Sequence, residues 1–390
     1  MRSEKLDRLP PYVLSVVNEL KAEARRRGQD VIDLGFGNPN HPTPDHIVDK
    51  LVEAARDPRN HHYSASRGIP NLRRAMARGY RRRYAVELDP DSQVIATIGA
   101  KEGLSHFVMG MIQRGDTVLC PDPAYPIHGF SVVIAGGDLQ RIPLAPLDGL
   151  IDRLGEAVSQ SWPRPKMLIA SFPHNPTTET VDLAFMTRLV EFCREHGMVL
   201  VHDFAYAEIC YDGYEPPSAL QVPGAAEMTI EFTSLSKSHA MAGWRIGFAA
   251  GNPELINILA RVKSYLDYGV FQPIQIASII ALDGAQDCVR EIVDDYRARR
   301  DALVEGLEQA DWKIDKPLAT MFVWAPLPET HAAMGSLEFS KLLLEKADVA
   351  VSPGVGFGPS GEGYVRFALV ENTHRIRQAV RGIRRLLRHG

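Results

Sequence analysis

The sequence predicts an α/β fold: a mostly parallel central sheet sandwiched by helices, with a smaller α+β domain beside it. Three observations lead there. Through the middle of the chain, short apolar runs alternate with stretches of helical periodicity. Beyond about residue 286 the pattern changes to a long charged helix, two strand-like runs and an arginine-rich closing helix. Finally, 390 residues that are 45% hydrophobic and 24% charged exceed one compact core and suit two domains of ordinary size.

Taken in order, residues 1–44 hold no strand of the main series and are assigned to the small domain together with residues 286–390, leaving 45–285 as the large domain. In the large domain Val94–Ile98, Thr117–Leu119, Met167–Ala170, Val199–Val201, Met228–Phe232 and Ile246–Ala249 read as buried strands. Asn71–Tyr84, Gly103–Gln113 and Leu183–His196 carry apolar residues at helical spacing. Such alternation implies parallel strands with crossover helices on both faces. In the small domain a charged helix is expected from near Asp287 past Leu307, followed by strands at Met321–Trp324 and Tyr364–Ala368. Open sheets of this kind bind ligands beyond the carboxyl ends of their strands. Residues just after each strand are therefore the candidates for chemistry.

Composition narrows the function classes. Lys plus Arg total 44 against 48 Asp plus Glu, a net charge of -4, so no basic excess points to nucleic acid or an anionic membrane. The arginine runs at 25–27, 81–83 and 384–385 fall in helix-like stretches and are read as solvated helix faces. Four scattered cysteines suggest neither a disulfide framework nor a zinc site, and thirteen histidines show no metal-ligand spacing. The start, MRSEKLDRLP, is charged where a signal peptide is apolar, and the least polar run, near 269–282, is shorter than a membrane span. The expected location is cytoplasmic.

The densest motif is Ser234-Leu235-Ser236-Lys237-Ser238 followed by Ala242-Gly243-Trp244-Arg245-Ile246-Gly247, which places Lys237 on a loop at a strand end. A lysine among serines is usually a solvated loop residue. Ser234-x-x-Lys237 also matches the nucleophile motif of serine β-lactamases, but their companion triplets are absent. Asp203 and, three residues on, Tyr206 follow another strand, although an Asp there is often a helix cap. Asn175-Pro176 follows a third strand and reads equally as a turn. Gly99-Ala100-Lys101-Glu102-Gly103 opens a helix after a fourth, where free N–H groups and the helix dipole favour a phosphate. Each signal is weak alone. Together they supply what pyridoxal 5′-phosphate (PLP) requires: an amine for its aldehyde, a carboxylate for its pyridine nitrogen, donors for its phenolic oxygen and a cup for its phosphate.

At these residues the chain resembles the class I/II aminotransferases of PLP fold type I. Ser-x-Ser-Lys with Gly-Trp-Arg-Ile-Gly is that family's lysine signature, and the likeness runs from Gly35-Phe36-Gly37-Asn38-Pro39 to Arg366-Phe367-Ala368. The stretches YSASRGIP at 63–70, AMAGWRIGF at 240–248 and VSPGVGF at 351–357 are most similar to bacterial glutamate–pyruvate (alanine) aminotransferases. The resemblance implies that Lys237 carries PLP as a Schiff base and shuttles the proton, that Asp203 pairs with the pyridinium, and that Asn175 and Tyr206 donate to the phenolic oxygen. It implies a ring stacked by Tyr125 and a phosphate held by the Ala100 and Lys101 backbone, Ser234, Ser236 and Arg245. Arg366 would take the substrate α-carboxylate, with Gly37, Asn175 and Tyr12 on the substrate side. Tyr63 would reach the cofactor phosphate of a neighbouring subunit, implying a homodimer with a shared active site.

Two departures refine this expectation. Aspartate-specific members use a second arginine, yet Tyr265–Phe271 contains none, so a dedicated aspartate transaminase is not expected. Gly356–Gly361 fits G-x-G-x-x-G, but a strand rather than a helix follows, which makes it a small-domain loop. The implied reaction is ping-pong transamination among alanine, glutamate, pyruvate and 2-oxoglutarate. LL-diaminopimelate, aromatic or methionine aminotransferases are alternatives, as is a PLP-dependent C–S β-lyase. A DNA-binding regulator built on the same fold is set aside, because the residues ahead of the main domain hold Gly37-Asn38-Pro39, which the enzymes use.

Overall fold

Strand order explains how distant parts of this chain reach one edge. The computed structural model describes residues 7–9 and 13–389. Its strands are β1 (Ile32–Asp33), β2 (Val94–Thr97), β3 (Thr117–Asp122), β4 (Asp138–Pro143), β5 (Met167–Ser171), β6 (Val199–Asp203), β7 (Thr229–Ser234), β8 (Gly247–Gly251), β9 (Phe322–Pro326), β10 (Val349–Ala350), β11 (Ser352–Pro353) and β12 (Tyr364–Ala368). Seven of them form one sheet in the order β2-β8-β7-β6-β5-β3-β4. The pairs among β3 to β7 are parallel, whereas β8 runs antiparallel to both β2 and β7. The sheet is thus mostly parallel, as expected, with β8 as the antiparallel member. The connection from β7 to β8 holds only short helical turns, too little to cross the sheet, so the chain reverses beside its own strand.

Helices cover both faces for ordinary local reasons. Asp182 caps Leu183–Glu195 by accepting from Phe185 N, and Asn252 caps Pro253–Leu266 with proline in the first turn. One core lies between Leu150–Gln160, Leu183–Glu195 and the sheet; another packs Ala100–Met111 and Pro253–Leu266 on the opposite side. A fully buried Lys263 ammonium bonds Glu102 at 2.9 Å and Asp267 at 3.1 Å, tying the start of the helix Ala100–Met111 to the end of Pro253–Leu266.

The chain beyond residue 286 adds the antiparallel sheet β11-β12-β9 and the helices Asp287–Glu308, Ser336–Ala347 and Thr373–His389. β1, from the N-terminal part, pairs parallel with β10. The last helix buries Ile376, Ala379, Val380 and Ile383 on one face and turns arginines outward. Of the three arginine runs, that at 81–83 is not merely solvated: Arg83 pairs with Glu208 and donates to Ala207 O at 3.1 Å. Among the described residues no helix is long and apolar enough to cross a membrane.

Candidate active site

Because β8 is reversed, its start lies at the same edge as the ends of β2, β6 and β7; Gly247 pairs with both Thr97 and Ser234, and Asp203 with Ser171. A cavity of about 270 Å³ opens there. Its walls include Gly37, Ala100, Lys101, Tyr125, Asn175, Asp203, Tyr206, Ser234, Ser236, Lys237, Arg245 and Arg366, so twelve residues expected from sequence are brought together.

Lys237 lies in a single helical turn, Leu235–Ser238, rather than in a loop. Ser234 starts that turn by accepting from Ser236 N at 3.1 Å, and the two serine hydroxyls bond at 2.8 Å. Lys237 Nζ donates to Gly37 O at 3.1 Å. Burial, then the positive charges of Arg366 and Arg245, lower its pKa to about 8.

Asp203 ends β6 and caps no helix, since turns follow it. Its Oδ1 accepts from Ala205 N at 3.2 Å and its Oδ2 lies 2.8 Å from His128 Nε2. Tyr206 is buried, which pushes its phenol pKa upward. Tyr125 meets His128 edge-on, with ring centroids 5.8 Å apart. Two further histidines adjoin the site: His202 Nδ1 bonds buried Glu231 at 2.7 Å, and the His202 ring stacks on Phe204. His174 bonds Thr177, and burial followed by the charge of His128 lowers its pKa to about 3.

Arg366 is 4% exposed, which excludes a surface role for this strand residue. Its guanidinium carbon sits 4.0 Å from the ring centre of Phe322 and 4.4 Å from that of Phe357. Nη1 donates to Asn175 Oδ1 at 2.7 Å, and Nη2 to Gly35 O at 3.3 Å. Gly37 is small for a reason, because a Cβ there would come within 2.6 Å of the Phe322 ring.

The opposite end of the cavity is built for an anion. Gly99 opens the helix Ala100–Met111 at φ 79°, where the first backbone N–H groups lack helical partners. A Cβ on Gly99 would collide with the Arg245 guanidinium. Glycine thus satisfies both the left-handed backbone and the close approach. With an amine, a carboxylate and this cradle around one cavity, the donor set fits PLP part by part.

Two sequence candidates remain. Tyr63 is 86% exposed and outside the cavity wall, its ring 4.6 Å from that of Tyr268. Tyr12 falls outside the described residues. Conversely, the sequence reading passed over Phe322, Phe357 and His128. Phe357 sat inside the quoted VSPGVGF stretch and Phe322 in an expected strand, so position was a signal for both; His128 had none.

A family model described as aminotransferase class I and II matches residues 29–383. The chain is 53% identical to the glutamate-pyruvate aminotransferase AlaC of Escherichia coli (strain K12), covering 99% of this chain and 94% of that protein. It is 43% identical to the LL-diaminopimelate aminotransferase of Moorella thermoacetica, covering 99% and 98%. A solved single mutant of Thermus thermophilus aspartate aminotransferase superposes with a TM-score of 0.90 at 30% identity, covering 99% of this chain and 100% of that one. With the cavity furnished for PLP and the likeness spanning nearly every residue, the chain belongs to the class I and II aminotransferases and is a PLP-dependent enzyme.

Proposed function

We propose that this aminotransferase moves amino groups between alanine or glutamate and the corresponding 2-oxo acids, pyruvate and 2-oxoglutarate, in two alternating half-reactions. The observation that carries the reading is the single cavity lined by Lys237, Asp203 and Arg366, which reach it from three separate strand regions. The substrate set is supported by similarity to the Escherichia coli enzyme, which exceeds that to the LL-diaminopimelate aminotransferases.

PLP, when bound, supplies an electron sink that acidifies the substrate Cα–H. The rest falls to the chain. Lys237 would be the attachment point for the aldehyde, and its amine would take and return the Cα proton; in the cofactor-free chain burial and the charges of Arg366 and Arg245 already favour its neutral form. Asp203, held by His128 and Ala205 N, pairs with the pyridine nitrogen. Tyr206 and the Asn175 amide donate to the phenolic oxygen, and Tyr125 covers the ring. Ser234, Ser236, Arg245 and the N–H groups of Ala100 and Lys101 take the phosphate. Arg366 grips the α-carboxylate beside Gly37, and Tyr12 is a further substrate-side contact.

The same reading takes residues 45–285 as the large domain, and 1–44 with 286–390 as the small one. It places Tyr63 on the partner's phosphate in a homodimer. Tyr63 and Tyr268, whose rings lie 4.6 Å apart, are 86% and 64% exposed, an aromatic pair of the kind a second copy covers. A cytoplasmic location belongs to the same proposal.

The deciding experiment mixes purified holoenzyme with alanine and 2-oxoglutarate and measures glutamate. Pyruvate and ammonia from cystathionine, without amino transfer, would instead establish a C–S lyase.

A further inference from the structure

Phe36, Gly37 and Asn38 face the cavity from a segment with neither helix nor strand between β1 and Asp45. Other parts of the chain must hold it, because an irregular backbone keeps its freedom unless tied down. Before Phe36, Leu34 O accepts from Ala368 N at 2.6 Å, and Gly35 O accepts from Ser352 Oγ at 2.7 Å. After Asn38, Asn40 and His41 are tied to the helix Asp287–Glu308, while Thr43 Oγ1 donates to Ala240 O at 2.8 Å. Arg299 Nη1 donates to Asn40 Oδ1 at 2.8 Å and to Leu369 O at 2.9 Å. Asp295 Oδ2 lies 2.6 Å from Arg299 Nη2 and 2.6 Å from His41 Nε2. The Tyr296 ring meets His41 edge-on with centroids 4.8 Å apart.

One guanidinium, 5% exposed, therefore joins the turn after Asn38 to the residue that follows β12, the strand of Arg366. Stability alone is a poor reason to bury it, since well-packed apolar side chains commonly do as well as a buried ion pair. The cluster also leaves His41 Nδ1, Tyr296 Oη and Arg299 Nε without a protein partner among the described residues. Fixed geometry is what these groups provide.

We propose that Arg299, with Asp295 and His41, positions the segment Phe36–Asn38 against Arg366 and thereby sets the affinity for the substrate carboxylate. This rests on the reading of Arg366 and Gly37 as substrate contacts. None of the three lines the cavity, so they are positioning residues.

The test uses the holoenzyme with Arg299→Met, Arg299→Lys, Asp295→Asn and, as reference, Arg366→Lys. KM for alanine and 2-oxoglutarate, kcat, PLP affinity of the stripped protein and the urea midpoint are measured for each. Arg299→Met and Asp295→Asn should raise both KM values roughly tenfold, the ordinary loss for one charged hydrogen bond, with kcat and PLP affinity little changed. Arg299→Lys should recover part of the loss. Asp295, whose side chain is 40% exposed, gives a variant that folds even if Arg299→Met does not. Unchanged KM values in Asp295→Asn and Arg299→Lys, with Arg366→Lys impaired, would overturn this inference alone. An unimpaired Arg366→Lys would overturn the underlying reading. Losses of kcat and PLP affinity that track the urea midpoint would mark a purely structural cluster and overturn the inference as well.

Discussion

Replacing Arg366 tests the substrate end of the site most sharply. In the structure its guanidinium lies between two phenylalanine rings at 4.0 and 4.4 Å, with one terminal nitrogen on Asn175 and the other toward Gly35 O. A carboxylate gripped there by two parallel N–H groups gains two charged hydrogen bonds, each about 1.5–3 kcal/mol. Allowing for non-additivity, Arg366→Leu should weaken substrate binding by about 3–4 kcal/mol. At about 1.4 kcal/mol per decade, KM rises by roughly two to three powers of ten. Arg366→Lys keeps the charge but loses the fork, so roughly a tenfold rise is expected. Every amino acid and every 2-oxo acid presents the same α-carboxylate, so donor and acceptor constants must rise together. Removing the arginine also deprives Asn175 Oδ1 of its donor and the two rings of their cation, which will lower fold stability. The lysine variant separates the two effects. The assay follows each half-reaction alone, with alanine and then with 2-oxoglutarate, by the change in cofactor absorbance at increasing substrate. Unchanged constants, or a rise confined to one half-reaction, would move the carboxylate contact elsewhere.

Lys237→Ala should yield folded protein that binds PLP without the visible band of a lysine-linked cofactor; an unchanged absorption spectrum would remove Lys237 from its role. The depressed amine makes a pH prediction for the cofactor-free protein. Below about 8 the folded and unfolded states both hold the proton; between about 8 and the ordinary lysine value of 10.5 only the unfolded state does, so stability rises with pH in that window. Urea midpoints compared with those of Lys237→Met should show the difference, and parallel pH profiles would contradict it. Gly99→Ala should lower PLP affinity at least tenfold, the loss of about one charged hydrogen bond, because the added methyl displaces Arg245; wild-type affinity by titration would show that the cradle lies elsewhere.

What could be read from the residues was local. Apolar runs and helical periods marked six strands of the large sheet, because burial on both faces imposes an apolar pattern that any window reveals. β4, with the sequence DLQRIP, escaped because an edge strand with mostly half-exposed side chains carries no such pattern. The helical turn at Lys237 is too short to show a period. The direction of β8 depends on where its connection runs, which no window contains.

At the site, Lys237, Asp203, Asn175, Arg245 and Arg366 were legible only in combination and through the family resemblance, since each lies at a strand end or in a motif that is a weak signal alone. His128 and Arg299 were not. His128 acts on Asp203 from 75 positions away, and Arg299 on Asn40 from 259. By itself, then, the chain's order of residues determined the chemical parts and the edge at which they gather. Which atoms touch, which groups lose water and which backbone is held still were decided only by tertiary packing. The physical reason is that side-chain chemistry belongs to single residues, whereas distance and dielectric belong to the folded whole.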